Sequence, residues 1–313
     1  MRADKQAVLI TTSSFGRQDP QPKTLLQTSG LAVHENPWGR TLTENEVRRL
    51  LQQHQPAGLI AGVEPLTAAV LQEAAAHLKV ISRCGVGLDN VDVSAAAELG
   101  IAVYNTPEAP TQAVAELTIG LMLDLLRQIS RSDRLVKAGQ WTKPLGKLVG
   151  ELTIGLVGLG RIGRRVAELC HAFGANVIAS DPAPDQDWSR RHHVPIVPLK
   201  ALLSEADLVS VHVSRTSGQP ALIDAAALAR MKQGSLLINT SRGDVVDESA
   251  LMQALTSGHL AGAAIDTFEH EPYRGPLLQL DSVICTPHVG SYARGARLRM
   301  EQEAVENLLR GLR

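Results

Sequence analysis

Residues 153–163 have the sequence TIGLVGLGRIG, and this stretch decides the fold. A short apolar run, Thr153–Val157, leads directly into three glycines in a GxGxxG pattern, and the amphipathic stretch Arg161–Phe173 follows. The apolar run predicts a buried β-strand and the amphipathic stretch predicts an α-helix. The glycines permit a tight turn, close approach of a ligand to the backbone, and close packing of helix on strand. The stretch therefore predicts the first βα unit of a doubly wound sheet.

The same alternation of short apolar runs and amphipathic stretches continues to residue 285. It is typical of parallel sheets that are built from βαβ units. We predict six strands, at Thr153–Val157, Asn176–Ser180, Leu208–His212, Ser235–Asn239, Gly262–Asp266 and Val283–Cys285. The predicted helices between them are Arg161–Phe173, Leu199–Ser204, Asp224–Met231 and Glu248–Thr256.

An earlier series of the same kind occupies the first hundred residues. Its predicted strands are Ala7–Ile10, Gly58–Ala61, Val80–Ser82 and Ala102–Tyr104. Its predicted helices are Glu44–His54, Thr67–His77 and Ser94–Leu99. A chain of 313 residues is long enough for about two domains, so we predict two doubly wound parallel-sheet domains. The last helical pattern, Arg294–Arg313, follows the second series, and we expect it to fold back on the first domain.

A long apolar helix is predicted between the two series, over Gln112–Ser130. A helix that is apolar on most of its surface must be buried. It can be buried between the domains of one chain, or partly against a second subunit. We favour the second possibility, and predict a homodimer that forms through this helix.

Composition excludes several classes of protein. Lys plus Arg is 31 and Asp plus Glu is 32, so no charge excess indicates a nucleic acid or membrane partner. The three cysteines are far apart and form no CxxC pair, which excludes a disulfide framework and the usual zinc modules. No apolar run approaches the roughly 18 residues of a membrane-spanning helix, and the N-terminus does not resemble a signal peptide. We expect a cytoplasmic protein without a metal site.

The glycine motif predicts a dinucleotide site, although a βα turn without a ligand has the same local sequence. The N-terminus of the helix supplies N–H groups and a positive dipole end for a pyrophosphate. Asp181 follows the next strand, 18 residues after Gly163, where it can accept hydrogen bonds from ribose hydroxyls. Its carboxylate would repel a 2′-phosphate, and residues 182–184 supply no cation beside it. The sequence therefore predicts NAD rather than NADP.

Charged residues follow three later strands, at the sheet edge where ligands bind in such folds. Arg242 can bind a carboxylate with its planar guanidinium, although an ion pair with Asp244 or Asp247 is the alternative. Of the ten histidines, His288 combines a position after a strand with a possible acidic partner, Glu271. Such a carboxylate orients the imidazole ring and favours its protonated form, which suits general acid–base catalysis.

Together these segments resemble the D-isomer-specific 2-hydroxyacid dehydrogenases. The resemblance is carried by residues 82–92, 105–107, 113–118, 158–163, 239–247, 261–272 and 286–290. These segments cover nearly the whole chain after residue 57, and their order and spacing are specific to that family.

The resemblance implies a Rossmann NAD-binding domain, residues 103–287, inserted into a flavodoxin-like substrate domain, residues 1–102 plus 288–313. It implies that Arg242 binds the substrate carboxylate, that His288 moves a proton to or from the substrate oxygen, and that Glu271 holds the imidazole. Backbone N–H groups of Val86 and Gly87 would also bind the carboxylate. The implied cofactor-binding residues are Gly158, Gly160, Arg161, Ile162, Gly163, Asp181, His212, Ser241, Asp266 (to the nicotinamide carboxamide) and Gly290.

Within the family the sequence is most similar to D-3-phosphoglycerate dehydrogenases. The resemblance predicts 3-phosphoglycerate as substrate, with Arg83 and Lys143 as further cations; Lys143 can come from the same subunit or from the other subunit of a dimer. Two features depart from the family pattern. The loop at residues 61–64 has no arginine where some phosphoglycerate enzymes carry one, and its Glu64 would disfavour a phosphate nearby. The loop at residues 213–220 also differs, which changes the expected adenine pocket or adds Arg215 there as a cation. Because the chain ends at Arg313, no C-terminal regulatory domain is expected.

Other functions stay open at this point. A glyoxylate or hydroxypyruvate reductase, or a reductase of another short 2-keto acid, is the alternative within the family. An NAD(H)-sensing binding protein is the alternative from another class, although the complete set of Arg242, Glu271 and His288 favours an enzyme. A methyltransferase with a nucleotide-binding fold is disfavoured by the third glycine and by the same three residues.

Overall fold

The computed structural model describes residues 6–213 and 219–313. These residues form two compact units. The first unit contains the residues up to Pro110 together with Tyr292–Arg313, and the second unit contains Thr111–Ser291. The second unit is therefore an insertion into the first. Most of the unusual loop at 213–220, including Arg215, lies outside the described residues.

Short strands and amphipathic helices alternate along the described chain. The strands are β1 Ala7–Ile10, β2 Ala32–Glu35, β3 Gly58–Ala61, β4 Val80–Arg83, β5 Ala102–Tyr104, β6 Thr153–Val157, β7 Asn176–Ser180, β8 Leu208–Val211, β9 Ser235–Asn239, β10 Leu260–Ile265 and β11 Val283–Cys285. The helices are α1 Gln21–Thr28, α2 Glu44–His54, α3 Ala68–Ala74, α4 Val93–Glu98, α5 Thr111–Arg127, α6 Ile129–Lys137, α7 Arg161–Ala172, α8 Gln186–Arg191, α9 Leu199–Glu205, α10 Ala225–Arg230, α11 Glu248–Thr256 and α12 Arg294–Gly311.

The first unit is a parallel sheet in the order β2-β1-β3-β4-β5, which is the flavodoxin-like order. α12 packs on one face of this sheet. Its residues Ala304, Val305 and Leu308 are fully buried in a cluster that includes Val8 and Ile60. Apolar residues of α2, α3 and α4 form the core on the other face. The last helix of the chain is thus part of the core of the first unit.

The second unit is a parallel sheet in the order β11-β10-β9-β8-β6-β7. Both faces are covered, with α5 and α7 on one side and α9, α10 and α11 on the other. The strand order reverses between β6 and β8, and ligands bind at such a switch point in doubly wound sheets. The predicted fold class, two parallel-sheet α/β domains, is confirmed.

Two elements at the edge of the first unit are absent from the sequence predictions. β2 is an edge strand whose residues are half-buried or exposed, so it lacks the apolar run that marks a central strand. α1 buries only Pro22 and Leu26, so its amphipathic pattern is short. Because few residues of either segment are buried, neither segment has a clear pattern of apolar residues in the sequence.

The long helix predicted over Gln112–Ser130 is in fact two helices. Gln128 has a left-handed backbone, with φ of 51°, which ends α5 at Arg127 and lets α6 begin at Ile129. A left-handed residue cannot continue a right-handed helix. Periodicity did not locate this break, because a left-handed backbone at one polar residue leaves no trace in the spacing of apolar residues.

The limits of the two units also differ from the predicted positions, 102/103 and 287/288. All of β5 belongs to the first unit, because Ala102–Tyr104 pairs with β4. Residues 288–291 belong to the second unit, because hydrogen bonds tie this loop to Asp266.

Within residues 6–213 and 219–313, no helix has both the length and the apolar character needed to cross a bilayer. In the same residues, no group of three or more His, Cys, Asp or Glu side chains is arranged to hold a metal ion.

Candidate active site and cofactor site

Three side chains singled out in the sequence follow three neighbouring strands of the second sheet. Arg242 follows β9, Asp266 follows β10, and His288 follows β11. These strands are parallel and adjacent, so their carboxyl ends meet at one edge. The sequence placed these residues at the edge where doubly wound sheets bind ligands.

Asp266 holds the loop after β11 in place. Its carboxylate is 1% exposed and accepts hydrogen bonds from the N–H groups of Val289 (2.9 Å) and Gly290 (3.0 Å) and from the Thr286 hydroxyl (2.6 Å). These donors satisfy a buried carboxylate that would otherwise be costly. The contact of Asp266 with a nicotinamide carboxamide stays a prediction. The structure adds a further role, which is to fix the loop that carries His288.

His288 and Glu271 form a hydrogen-bonded pair. His288 Nδ1 lies 2.9 Å from Glu271 Oε2 and 3.1 Å from Oε1. The backbone of His288 is left-handed, with φ of 54°, and its N–H donates to the Asp266 carbonyl. The side chains of the pair are 48% and 38% exposed, so a small molecule can reach the ring. Because Nδ1 faces the carboxylate, Nε2 is the nitrogen left for a substrate.

Glu271 is held in its ionised form. Burial alone raises the pKa of this carboxyl, but the hydrogen bonds from His288 and from the Phe268 N–H, with the positive charges of His288 and Arg242, hold the pKa below its ordinary value. An ionised carboxylate only accepts hydrogen bonds, so it orients the ring with a proton on Nδ1. The environment of Glu271 therefore suits the role of orienting His288.

Gly243 brings the Arg242 loop against the loop that carries Glu271. A β-carbon at Gly243 would lie 1.9 Å from the carbonyl carbon of Phe268 and 2.3 Å from the nitrogen of Glu269. No other residue fits without moving one of the loops. The two loops are thus locked together through backbone contact.

The Arg242 loop is also held from within. The Asn239 side-chain amide donates to the Arg242 carbonyl at 2.8 Å, and Arg242 Nη1 donates to the Ser241 carbonyl at 2.9 Å. Asp244 and Asp247 are the two ion-pair partners that the sequence offered for Arg242. Asp247 caps α11, where its carboxylate accepts a hydrogen bond from the Ala250 N–H. A guanidinium fixed at a strand end can bind a carboxylate with two parallel hydrogen bonds.

The turn between β6 and α7 forms a cradle for a phosphate. Gly158 has φ of 97°, and a β-carbon there would lie 2.6 Å from the His212 carbonyl oxygen. A β-carbon at Gly163 would lie 2.2 Å from the Gly158 carbonyl oxygen. At Gly160, by contrast, a β-carbon would meet only open space. Arg161 and Ile162 form the first turn of α7, whose N–H groups can bind a pyrophosphate.

Asp181 follows β7 and is fixed beside this turn. Its carboxylate accepts from the Leu159 N–H at 2.7 Å and from the Ala183 N–H at 2.8 Å. Each carboxylate oxygen has a further lone pair that can accept from a ribose hydroxyl. The glycine turn and Asp181 together fit a nicotinamide dinucleotide.

One cation near Asp181 was not expected from the sequence. Arg164 Nε donates to the carbonyl of Leu159, the residue whose N–H donates to Asp181. Arg164 Nη1 also lies 3.2 Å from Asp185 Oδ2. The guanidinium also lies 5.4 Å from the centre of the Trp188 ring. The sequence could have indicated this position, because residues four apart lie on the same face of a helix and Arg164 follows Gly160 by four residues.

The remaining predicted cofactor residues have structural partners of their own. His212 Nε2 lies 2.9 Å from Ser210 Oγ, and burial lowers the pKa of His212 to about 3. The Ser241 hydroxyl donates to Asn239 Oδ1 at 2.7 Å. At Gly290 a β-carbon would lie 3.2 Å from the Asp266 carboxylate. Contacts of His212, Ser241 and Gly290 with a cofactor stay predictions.

In the first unit, the predicted substrate residues lie where β4 ends. The strand ends at Arg83, and Gly85 turns the chain with φ of 150°. The Asn105 amide donates to the Val86 carbonyl at 2.7 Å. Among the described residues, the N–H groups of Val86 and Gly87 have no hydrogen-bond acceptor. Two adjacent donors at a strand end suit an anion.

Lys143 lies in an exposed segment of the second unit, after α6. Within the described residues, no hydrogen bond or ion pair joins it to Arg242, Glu271 or His288. Its role toward a substrate stays a prediction.

Comparisons with known proteins agree with this architecture. The family model for the D-isomer specific 2-hydroxyacid dehydrogenase, NAD binding domain, matches residues 119–290. Hydroxypyruvate reductase of Thermotoga maritima is 41% identical over 261 residues, which are 81% of this chain and 84% of that protein. D-3-phosphoglycerate dehydrogenase of Archaeoglobus fulgidus is 40% identical over 247 residues, which are 77% of this chain and 47% of that protein. The crystal structure of the TT0316 protein from Thermus thermophilus matches with a TM-score of 0.88 and 38% identity, over 98% of this chain and 97% of that one.

The chain belongs to the D-isomer specific 2-hydroxyacid dehydrogenase family. Its cofactor is NAD, bound by the second unit. Both the family resemblance and the cofactor predicted from the sequence are confirmed. The chain spans about half the length of the phosphoglycerate dehydrogenase that it matches, but most of the length of the hydroxypyruvate reductase.

We predict that Asp181→Asn weakens the preference for NADH over NADPH. Asparagine keeps an acceptor for the Leu159 N–H but removes the charge that repels a 2′-phosphate. The ratio of kcat/KM with NADPH to kcat/KM with NADH should rise about tenfold, which corresponds to about 1.4 kcal/mol. The measurement is steady-state reduction of one 2-keto acid with each cofactor.

The matched control is Asp187→Asn, which removes an exposed charge from the same region. It should leave the ratio within about twofold of wild type, because an exposed charge is largely screened. Equal shifts in the two variants would show that Asp181 does not select the cofactor.

Proposed function

We propose that the enzyme interconverts 3-phosphoglycerate and 3-phosphohydroxypyruvate with NAD, the step that would open serine biosynthesis. The reaction type rests above all on the His288–Glu271 pair, at 2.9 Å, beside the loop of Arg242, whereas the choice of a phosphorylated acid rests on the resemblance to phosphoglycerate dehydrogenases and on Arg83. Arg242 can bind the substrate carboxylate, and His288 can transfer a proton to or from the oxygen on the adjacent carbon. Oxidation of a 2-hydroxy acid and reduction of a 2-keto acid require both functions.

The three side chains divide the work. NAD, when bound, supplies or accepts the hydride. In reduction, protonated His288 donates from Nε2 to the carbonyl oxygen of the keto acid; in oxidation, the neutral ring accepts the hydroxyl proton. Glu271 keeps the ring oriented and stabilises its positive charge. Arg242 binds the carboxylate and polarises the adjacent carbonyl.

A phosphorylated substrate requires cations beyond Arg242, because a phosphate monoester carries a charge of about −1.5 to −2 at neutral pH. Arg83 ends β4 and lies three residues before Val86, the first of the two residues with available N–H groups. It is the group that supports a phosphorylated acid most directly. Lys143 is the second proposed cation.

The second candidate substrate is an acid without phosphate, hydroxypyruvate or glyoxylate. The position of Glu64 supports this candidate. This side chain is 1% exposed and sits in the loop after β3, the strand that pairs with β4. An acid there would disfavour a phosphate nearby, and a substrate without phosphate needs no further cation. The extent of the match to the hydroxypyruvate reductase also supports this candidate.

We predict that His288→Ala lowers kcat at least about 100-fold on every accepted acid, since general acid–base catalysis contributes about 10²–10⁴ in rate. The assay follows NADH absorbance with phosphohydroxypyruvate, hydroxypyruvate and glyoxylate, and with 3-phosphoglycerate and glycerate in the reverse direction. NADH binding, measured by fluorescence titration, should change less than about twofold.

His193→Ala is the control, because this exposed histidine of the same unit lies outside the site. It should retain wild-type rates. Turnover of His288→Ala at wild-type rates would remove His288 from the mechanism. Wild-type activity on the non-phosphorylated acids alone would replace phosphoglycerate by the second candidate.

We also propose that the enzyme is a homodimer. The apolar residues of α5 are mostly buried within the second unit, but Gly120 is exposed on this helix. The next segment leaves large apolar side chains in contact with solvent, and Leu145 is 95% exposed. The others in this segment are Ile129, Val136, Trp141 and Leu148. An exposed apolar surface of this extent suits a second copy of the chain.

The dimer predicts a mass near twice 33.5 kDa in size-exclusion chromatography with light scattering. Leu145→Asp should shift the enzyme towards the monomer, because a charge would be buried in the interface. Leu25→Asp, at an exposed leucine of the first unit, should not. A monomeric wild type would contradict the proposal.

A cytoplasmic location remains part of the proposal. Cys84, Cys170 and Cys285 are all free thiols. Burial raises the pKa of Cys84 to about 11 and that of Cys170 to about 12, so both stay protonated and unreactive. Such thiols suit a reducing compartment.

A further inference from the structure

We propose that Thr118 is a positioning residue for the reaction, because its buried hydrogen bond with Thr240 fixes the loop that carries Arg242. The inference rests on the proposed function, since it concerns the placement of Arg242 against a substrate carboxylate, but it holds for any 2-keto acid. It assigns α5 a part in the active site in addition to its place in the core of the second unit.

The hydroxyl groups of Thr118 and Thr240 form a buried hydrogen bond between α5 and the Arg242 loop. Their oxygens lie 3.0 Å apart, and the two residues are 0% and 6% exposed. Among the described residues, Thr240 Oγ1 has no other hydrogen-bond partner. A buried polar group without a partner is costly. The Thr240 hydroxyl therefore depends on Thr118.

The proton count fixes the direction of this bond. A hydroxyl group has one proton to donate and two lone pairs that accept. Thr118 Oγ1 lies 2.8 Å from the carbonyl oxygen of Val114, one turn earlier on α5, and a carbonyl only accepts. Because the Thr118 proton is used within the helix, Thr240 donates and Thr118 accepts. Thr118 thus presents an acceptor that is already bound to its own helix.

Thr240 lies between two residues that shape the Arg242 loop, Asn239 and Ser241. Asn239 Oδ1 accepts from the Ser241 N–H at 3.0 Å, and the Asn239 side-chain amide donates to the Arg242 carbonyl at 2.8 Å. These bonds close the loop upon itself but do not tie it to a helix. The Thr240 hydroxyl supplies that tie, so a displacement of Thr240 would carry Arg242 with it.

The same turn of α5 also supports the loop that carries His288. A β-carbon at Gly290 would lie 3.2 Å from Val114 Cγ2 and 3.2 Å from the Asp266 carboxylate, so Gly290 fits between α5 and Asp266. The side chain of Val114 is thus against one loop, while its carbonyl binds the threonine that holds the other. One turn of α5 therefore sets the spacing between Arg242 and His288, the two side chains proposed to touch the substrate.

The test compares Thr118→Val with Thr118→Ser in the full-length enzyme. Valine keeps the shape of the side chain and loses the hydroxyl, whereas serine keeps the hydroxyl and loses a methyl group. The two variants therefore separate the hydrogen bond from the packing of a fully buried residue.

We measure kcat/KM with saturating NADH for phosphohydroxypyruvate, hydroxypyruvate and glyoxylate, and compare the variants on the acid that wild type reduces fastest. In Thr118→Val it should fall at least about tenfold, since a displacement of about 1 Å can cost about 100-fold. In Thr118→Ser it should stay within about threefold of wild type, because the hydrogen bond remains. NADH affinity should change less than about twofold in both variants, because the glycine turn is unaltered.

A double-mutant cycle with Arg242 gives a result that a purely structural role would not change. Arg242→Lys keeps the positive charge but loses the planar group that binds a carboxylate at two points. If Thr118 acts through Arg242, adding Thr118→Val to Arg242→Lys should lower kcat/KM at most about twofold further. Independent effects would instead multiply.

The control is Thr256→Val. The Thr256 hydroxyl makes the same kind of bond to its own helix, at 2.7 Å from the Met252 carbonyl, but it is exposed on α11. This variant should keep kcat/KM within about twofold of wild type. Thr240→Val removes the other partner of the buried bond, and should lower kcat/KM about tenfold even if Thr118→Val does not fold. Circular dichroism and NADH binding establish that each variant is folded.

Each outcome has a distinct meaning. If wild type reduces none of the three acids, the proposed function fails, and the role of Thr118 fails with it. If wild type reduces at least one acid, the inference is overturned by unchanged kcat/KM in folded Thr118→Val or Thr240→Val. Equal losses in Thr118→Val and Thr118→Ser, or full additivity with Arg242→Lys, would also overturn it. In these cases the proposed function stands.

Discussion

A backbone contact that leaves no room for a β-carbon joins the loops of Arg242 and Glu271. Gly243 lies against the backbone of Phe268 and Glu269 so closely that any side chain would displace one loop. The neighbouring loop, which carries His288, is tied to Asp266 by hydrogen bonds to its carboxylate and carbonyl. The three side chains of the site therefore share one support, although Arg242 and His288 lie 46 positions apart in the chain.

The cofactor site depends on the same kind of constraint. Gly158 lies against the carbonyl of His212, and Gly163 lies against the carbonyl of Gly158. These contacts join the turn after β6 to the end of β8, at the point where the order of the strands reverses. Asp181 then binds the Leu159 N–H within the turn. Glycine thus shapes both the cofactor cradle and the catalytic loops, because only its backbone can approach so closely.

The sequence predicted most of the fold and the location of the site, for physical reasons that can be named. Buried parallel strands are nearly continuous apolar runs, and Glu248–Thr256 was predicted with the limits that α11 has. Arg242, Glu271 and His288 could be found because each follows a strand whose carboxyl end faces the same edge. The half-buried edge strand β2 and the left-handed break at Gln128 have no such pattern, so they were missed.

Tertiary contacts were the other information that the sequence could not provide. Periodicity cannot show that Asp266 accepts three hydrogen bonds from the His288 loop, or that Arg164 reaches Leu159 and Asp185. Nor could it show that Glu64 is buried, although it did identify this acid as unexpected near a phosphate. The net charge of −1 for the whole chain does not reveal where single charges such as this one are placed.

The most direct test of this account is the kinetics of Gly243→Ala. If contact between the two loops positions Arg242 and Glu271, kcat/KM for the preferred 2-keto acid should fall at least about 100-fold, since a displacement of about 1 Å can have that effect. NADH affinity would then stay near wild type, and the melting temperature would fall, since overpacking costs about 1–3 kcal/mol. The control Gly295→Ala, where a β-carbon meets no neighbour, should change neither quantity. A folded Gly243→Ala enzyme with wild-type kcat/KM would contradict the account.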